Sequence, residues 1–319
     1  MESRRECYEV GALLYSPALN DKLADSIING KFGSQYSLAI CLEDTVSEEF
    51  VLQAEEQLHT TLTKILNANQ NFYLPKIFIR VRDPEQLDRL HDFLSDCVQI
   101  ITGYIFPKYT ISNAPIYNRK IKAINNIAEK TFYMMPILES EDIIDYSSRR
   151  QILLNIKKMI DSVRDYVLNV RVGGNDFCNT FAARRHYDET IYDIRPIADV
   201  LTDILTIFSR DYVVSGPVWE FFSSDNNEWK DGLSYEAELD RLNGFVGKTV
   251  IHPKQISVVN DSLKVSNKDY EDAKEILGWS DKNGLQVSKG AGGERMNELK
   301  THGNWARKII FLAEIYGVN

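Results

Sequence analysis

Eight short apolar runs, separated by amphipathic stretches, constrain this chain more than any other feature of its sequence. They are Val10 to Ser16, Tyr36 to Leu42, Lys76 to Val81, Ile100 to Phe106, Phe132 to Leu138, Tyr166 to Val172, Tyr212 to Val218 and Phe245 to Ile251. Runs such as Ile77-Phe78-Ile79 show no polar alternation, the mark of strands covered on both faces and hence of a parallel sheet. Between the runs, Leu58, Leu62, Ile65 and Leu66 recur at helical spacing, as do Ile194, Ile197, Ala198, Leu201, Leu205 and Phe208. Strand and helix alternating eight times predict an α/β fold, the (β/α)8 TIM barrel, which typically takes about 250 residues. An open doubly wound sheet is the rival, but no GxGxxG follows the first run.

Of the 319 residues, 1–260 then form the barrel and 261–319 a C-terminal helical extension and lid. In that extension Asn283-Gly284 and Lys289-Gly290-Ala291-Gly292-Gly293 read as a mobile segment with a lid hinge, and Ala306 to Tyr316 as a closing helix. The glycines are not a P-loop, since no Gly-Lys-Ser/Thr follows and no strand precedes them.

Composition excludes several partners. Lys and Arg number 37 against 46 Asp and Glu, a net charge of −9, which argues against nucleic acid or an anionic membrane. No apolar run approaches the roughly 20 residues of a membrane helix. Met1-Glu2-Ser3-Arg4-Arg5-Glu6 lacks the apolar stretch of a signal peptide. Cys7, Cys41, Cys97 and Cys178 are scattered like reduced thiols rather than a disulfide frame. The expectation is a cytoplasmic protein.

Polar residues end the runs at consistent places. Glu43 and Asp44 follow the second, Arg80 and Arg82 the third, Lys108 the fourth and Glu139 the fifth. Asn175 and Asp176 follow the sixth, Trp219 and Glu220 the seventh, and His252 the eighth. A barrel gathers the carboxyl ends of its strands on one face, where its active sites lie. One fold assumption thus collects arginines, a lysine, several carboxylates and a histidine into one bowl. Each has an ordinary structural alternative: a buried carboxylate bonded to backbone N–H groups, or an arginine or Lys108 paired with Glu43 or Asp44. Trp219, Phe221, Phe222 and Trp229 read as a rim cluster, and His252, before Pro253, as a residue that positions the last loop.

Leu14-Tyr15-Ser16-Pro17-Ala18, Leu42-Glu43-Asp44-Thr45-Val46, Arg80-Val81, Phe106-Pro107-Lys108, Pro136-Ile137-Leu138-Glu139 and Gly174-Asn175-Asp176 stand in a telling order. Asp231-Gly232-Leu233 and then Gly244-Phe245-Val246-Gly247-Lys248-Thr249-Val250-Ile251-His252-Pro253-Lys254-Gln255-Ile256 complete it. In that order the chain resembles the citrate lyase β-subunit-like (HpcH/HpaI aldolase) family. Gly173-Gly174-Asn175-Asp176-Phe177-Cys178 is similar to its divergent carbon–carbon lyase branch, associated with tellurite-resistance operons.

The resemblance implies Mg²⁺ held by Glu139 and Asp176, and Arg80 binding a carboxylate or enolate oxygen of the substrate. A hard cation that keeps several waters needs only one or two carboxylates, and a guanidinium fork suits a carboxylate. Glu43 and Asp44 would orient Arg80 or a metal water, Lys108 would serve as an electrophilic or phosphate-binding group, and Arg82, where the family has Asn, would tune substrate choice. The family's C-terminal acid, commonly given to a neighbouring subunit, is matched by Glu298 in Met296-Asn297-Glu298, with Arg295 and His302 as rivals and a homotrimer implied. Coenzyme A is expected to bind weakly or not at all, because Leu19, Asn20, Asp21, Leu23 and Asp25 surround a lone Lys22 after the first run. The implied function is a Mg²⁺-dependent carbon–carbon bond lyase for a small carboxylate, acting through a stabilised enolate. The alternatives are a thioester-linked malyl- or citramalyl-type lyase or synthase, and a non-catalytic barrel subunit of an assembly.

Overall fold

The computed structural model describes residues 4–69, 71–279 and 286–319. Its main sheet holds eight parallel strands in the order β7-β6-β5-β4-β3-β2-β1-β8. They are β1 Ala12–Pro17, β2 Ser37–Cys41, β3 Lys76–Arg80, β4 Ile101–Phe106, β5 Tyr133–Leu138, β6 Val170–Val172, β7 Val214–Ser215 and β8 Lys248–Val250. The first and last strands pair in register, Leu13 opposite Thr249, and Gly216 bridges to Lys248, so the sheet closes into the expected barrel.

Every apolar run holds its strand, but the sixth, seventh and eighth are trimmed to two or three residues. A 3₁₀ turn, Arg164–Tyr166, takes up the start of the sixth, and in the seventh Pro217, which has no N–H to give a ladder, comes soon after the strand. Inside, Leu13, Ala39, Phe78, Ile105, Met135 and Leu168 form one cluster, small Ala39 making room beside Phe78. Outside, Leu58, Leu62 and Ile65 of helix Val51–Asn67 and six buried side chains of helix Arg195–Phe208 cover the sheet. Burial on both faces is why strands such as β3 to β5 are mostly apolar.

The C-terminal extension differs from the lid reading. Met296–Glu298 is a strand, β10, antiparallel to β9, Val287–Lys289, and the last helix runs Leu299–Tyr316 rather than starting at Ala306. The Gly290–Gly293 stretch is the turn of this hairpin and is tied down. Buried Asp272 accepts from the Ala291 N–H at 2.6 Å, Arg295 Nε at 2.7 Å and Asn297 Nδ2 at 3.1 Å. A hinge reading of these glycines overlooked a carboxylate one helix away; Asn283-Gly284 lie outside the described residues. The last helix docks on its own chain, Ala306 against Ala273 and Ile276, and the Tyr316 hydroxyl donates to the Tyr8 carbonyl at 2.7 Å. Among the described residues no helix is long and apolar enough to cross a membrane, and all four cysteines are free.

Candidate active site

At the carboxyl ends of the strands lies a cavity of about 220 Å³. Tyr15, Asp44, Arg80, Glu139, Arg171, Asp176 and Thr249 are among its walls. Glu139 follows β5 directly, and Asp176 sits in the first turn of a short helix, Gly174–Thr180, that starts after β6. Gly173 lies between them, and a Cβ there would overlap Glu139 Cβ and Oε2 and come within 3.1 Å of Asp176 Oδ2. The missing side chain is therefore what lets the two carboxylates converge.

Convergence shows in their acidities. Burial pushes Glu139 up to about 7, opposed by the Arg80 charge and helped by Asp176. Asp176 is raised as well, by burial and then by Asp44. The Asp176 charge thus disfavours ionisation of Glu139, a penalty that a cation between them would lift.

A single nitrogen of Arg80 faces three carboxylates, Glu43 Oε2 at 2.8 Å, Asp44 Oδ2 at 3.0 Å and Glu139 Oε1 at 3.2 Å. Its Nε is buried without a hydrogen-bond partner among the described residues. Lys108 donates from Nζ to Glu43 Oε1 at 2.6 Å and Asp44 Oδ1 at 3.3 Å. Its backbone N–H donates to Glu139 Oε1 at 2.9 Å. That aim requires a left-handed φ of 46° at Lys108, which Asn113 braces by donating to the Lys108 carbonyl at 2.8 Å. Glu43 is raised by burial, against the pull of Arg80; Asp44 is lowered, since Glu43, Arg80 and Lys108 together outweigh its burial.

Of the residues singled out from sequence, Arg80, Asp44, Glu139 and Asp176 line the cavity, while Glu43 and Lys108 hold them from behind. Glu298 is not among the lining residues; its carboxylate accepts from Thr301 Oγ1 at 2.7 Å at the start of the last helix. Arg82 corrects the tuning expectation. Its guanidinium donates to the carbonyls of Leu42 at 3.0 Å, Glu43 at 3.3 Å and Val46 at 2.8 Å, so it fixes the loop that carries Glu43 and Asp44. His252 does position the last loop, accepting from the Lys254 N–H at 3.2 Å and stacking on Phe222. Of the expected rim cluster, Trp219 and Trp229 are buried, Phe221 is half-buried and Phe222 is exposed.

Sequence reading missed Arg171, Tyr15 and Thr249. The signal was present in Val170-Arg171-Val172, a charge in mid-strand where every neighbour is apolar. A parallel barrel with a converging acid pair and a carboxylate-held arginine at its strand ends belongs to the class of TIM-barrel enzymes that place their chemistry on that face.

Comparison with known proteins makes the class specific. A family model described as C-C bond lyase of the TIM-barrel fold matches residues 4–318, and the chain belongs to that family. No curated protein matches it. A solved structure of the protein CitE from Mycobacterium tuberculosis, in complex with magnesium, acetoacetate and coenzyme A, is 17% identical with a TM-score of 0.60. That match covers 97% of this chain and 99% of that one. The citrate lyase β subunit of M. tuberculosis with oxaloacetate and magnesium is 18% identical with a TM-score of 0.52, over 81% of this chain and 99% of that one. RipC from Yersinia pestis is 17% identical with a TM-score of 0.54, over 80% and 95%. At these identities the solved structures are alike in fold.

Proposed function

We propose that this protein is a cytoplasmic, Mg²⁺-dependent carbon–carbon bond lyase for a small carboxylate substrate. The convergence of Glu139 and Asp176 over Gly173 carries the reading. Two hard oxygen donors brought together fit a cation that keeps most of its water. Bound there, Mg²⁺ would polarise substrate oxygens and favour negative charge developing on them.

The remaining roles belong to this chain's own side chains. Arg80, anchored by three carboxylates, lines the cavity and would stabilise a substrate oxygen that becomes an enolate as the carbon–carbon bond breaks. Glu43, Lys108 and Arg82 fix that arginine and its loop. Asp44 lines the cavity and is held ionised, so it can take the proton of the hydroxyl on the departing fragment. Glu298 lies off its own cavity, which leaves it the site of a neighbouring copy, in a homotrimer whose extension reaches across. Asp21 and Asp25 beside a lone Lys22 favour a substrate free of coenzyme A. The magnesium and small keto acids in the M. tuberculosis structures support the same chemistry.

Incubation with a metabolite extract and Mg²⁺, followed by mass spectrometry, tests this reading. A consumed carboxylate and two products whose masses add up to it are expected with wild type and absent with Asp176→Ala. Consumption by both proteins alike, or by neither, contradicts the assignment.

A further inference from the structure

Arg171 stands apart from the other cations of the cavity. It lies on β6 opposite Ile137 of β5 and Ser215 of β7, two residues and so about 7 Å along the strand beneath Gly173. Its guanidinium crosses the barrel to β8, where Nη2 donates to Thr249 Oγ1 at 2.7 Å, and Nη1 reaches Asn169 Oδ1 at 3.4 Å. Tyr15 of β1 is a further hydrogen-bonding neighbour of the guanidinium. The side chain is 1% exposed, yet it lines the cavity. Its Nε has no hydrogen-bond partner, and no carboxylate forms an ion pair with it among the described residues. Arg80 and Lys108 a layer above share Glu43 and Asp44 between them.

An arginine cannot shed its proton, and a buried charge without a counter-ion is costly. Hydrogen bonds to neutral Thr249 and Asn169 do not neutralise that charge, nor do the apolar Leu13, Ala39, Phe78, Ile105 and Met135 of the barrel interior. A ligand anion does. The cavity, at about 220 Å³, falls below the roughly 300–1,000 Å³ of pockets for drug-sized molecules, so the occupant is small.

We propose that Arg171 receives a second carboxylate of the substrate, which makes this site selective for small acids with two anionic ends. One end sits at Glu139, Asp176 and Arg80, as the proposed function requires and on which this inference rests. The other points into the barrel, where the planar fork of Arg171 takes it with Thr249 as neighbour.

Calorimetric titration in the presence of Mg²⁺ tests the idea with acids that differ by one carboxylate: oxaloacetate against pyruvate, and succinate against butyrate. Wild type should hold at least one two-ended acid roughly tenfold or more tighter than its one-ended counterpart, because a site built for a charged group rejects the analogue that lacks it. Arg171→Met should erase that preference while leaving Mg²⁺ affinity and melting temperature unlowered, and Arg171→Lys should restore part of it. Equal binding of both members of each pair by wild type overturns the inference, as does a preference that survives in Arg171→Met. A melting temperature that collapses in Arg171→Met and recovers in Arg171→Lys, without any change in acid preference, also overturns it and makes Arg171 structural. Absence of Mg²⁺ binding by wild type overturns the metal reading beneath it instead.

Discussion

At the scale of single residues, the site depends on one missing side chain. Gly173→Ala should press a methyl group into Glu139 and Asp176, weaken Mg²⁺ binding by at least tenfold, and lower stability by about 1–3 kcal/mol through overpacking. Mg²⁺ titration and thermal unfolding of the variant check both. Glu139 brings a pH dependence. Its carboxyl is raised from 4.5 to about 7 in the folded protein, so between those values the unfolded chain gives up its proton first. Stability of the metal-free protein should therefore fall as pH rises from about 4.5 to about 7 and then level off. Mg²⁺ affinity should rise over the same window, since the cation needs the ionised form. Melting curves of wild type and Glu139→Gln across that range check the sign, and the extra slope should vanish in the variant. That Glu139, Asp176 and Arg80 meet at one end of the barrel was legible because they stand at or just after strand ends in motif context. Arg171 was not, because a strand-interior charge reads as an irregularity until the barrel closes around it.

At the scale of elements, all eight strands were legible, since burial on both faces leaves runs that are mostly apolar, even where Arg171 or Lys248 interrupts one. The C-terminal hairpin was not, because what orders its glycines is a long-range contact that local composition cannot express. Asp272 accepts three hydrogen bonds from that hairpin, and bonds to a charged group contribute about 1.5–3 kcal/mol each where the partner is left buried. Asp272→Ala should accordingly release residues 287–298. Amide exchange there should quicken while the barrel strands keep their protection. Unchanged exchange in the hairpin would mean that packing against the helix Asn267–Leu277 alone holds it.

At the scale of the whole molecule, the last helix clasps its own barrel, with Tyr316 on Tyr8, which leaves Glu298 away from the cavity of its own chain. If the proposed trimer shares sites, mixing Glu298→Ala subunits with Glu139→Ala subunits should recover part of the lyase activity, because one site in a mixed oligomer can be whole. Failure to recover any, with subunit exchange shown by mass spectrometry of the oligomer, would make Glu298 a surface carboxylate. All of this rests on the acid pair. The most direct measurement is a calorimetric Mg²⁺ titration of wild type beside Asp176→Ala. One ion per chain is predicted for wild type, with affinity at least roughly tenfold weaker in the variant at an unchanged melting temperature, since even an outer partner of a metal site is commonly worth that much. Binding by Asp176→Ala as tight as wild type's would contradict the account.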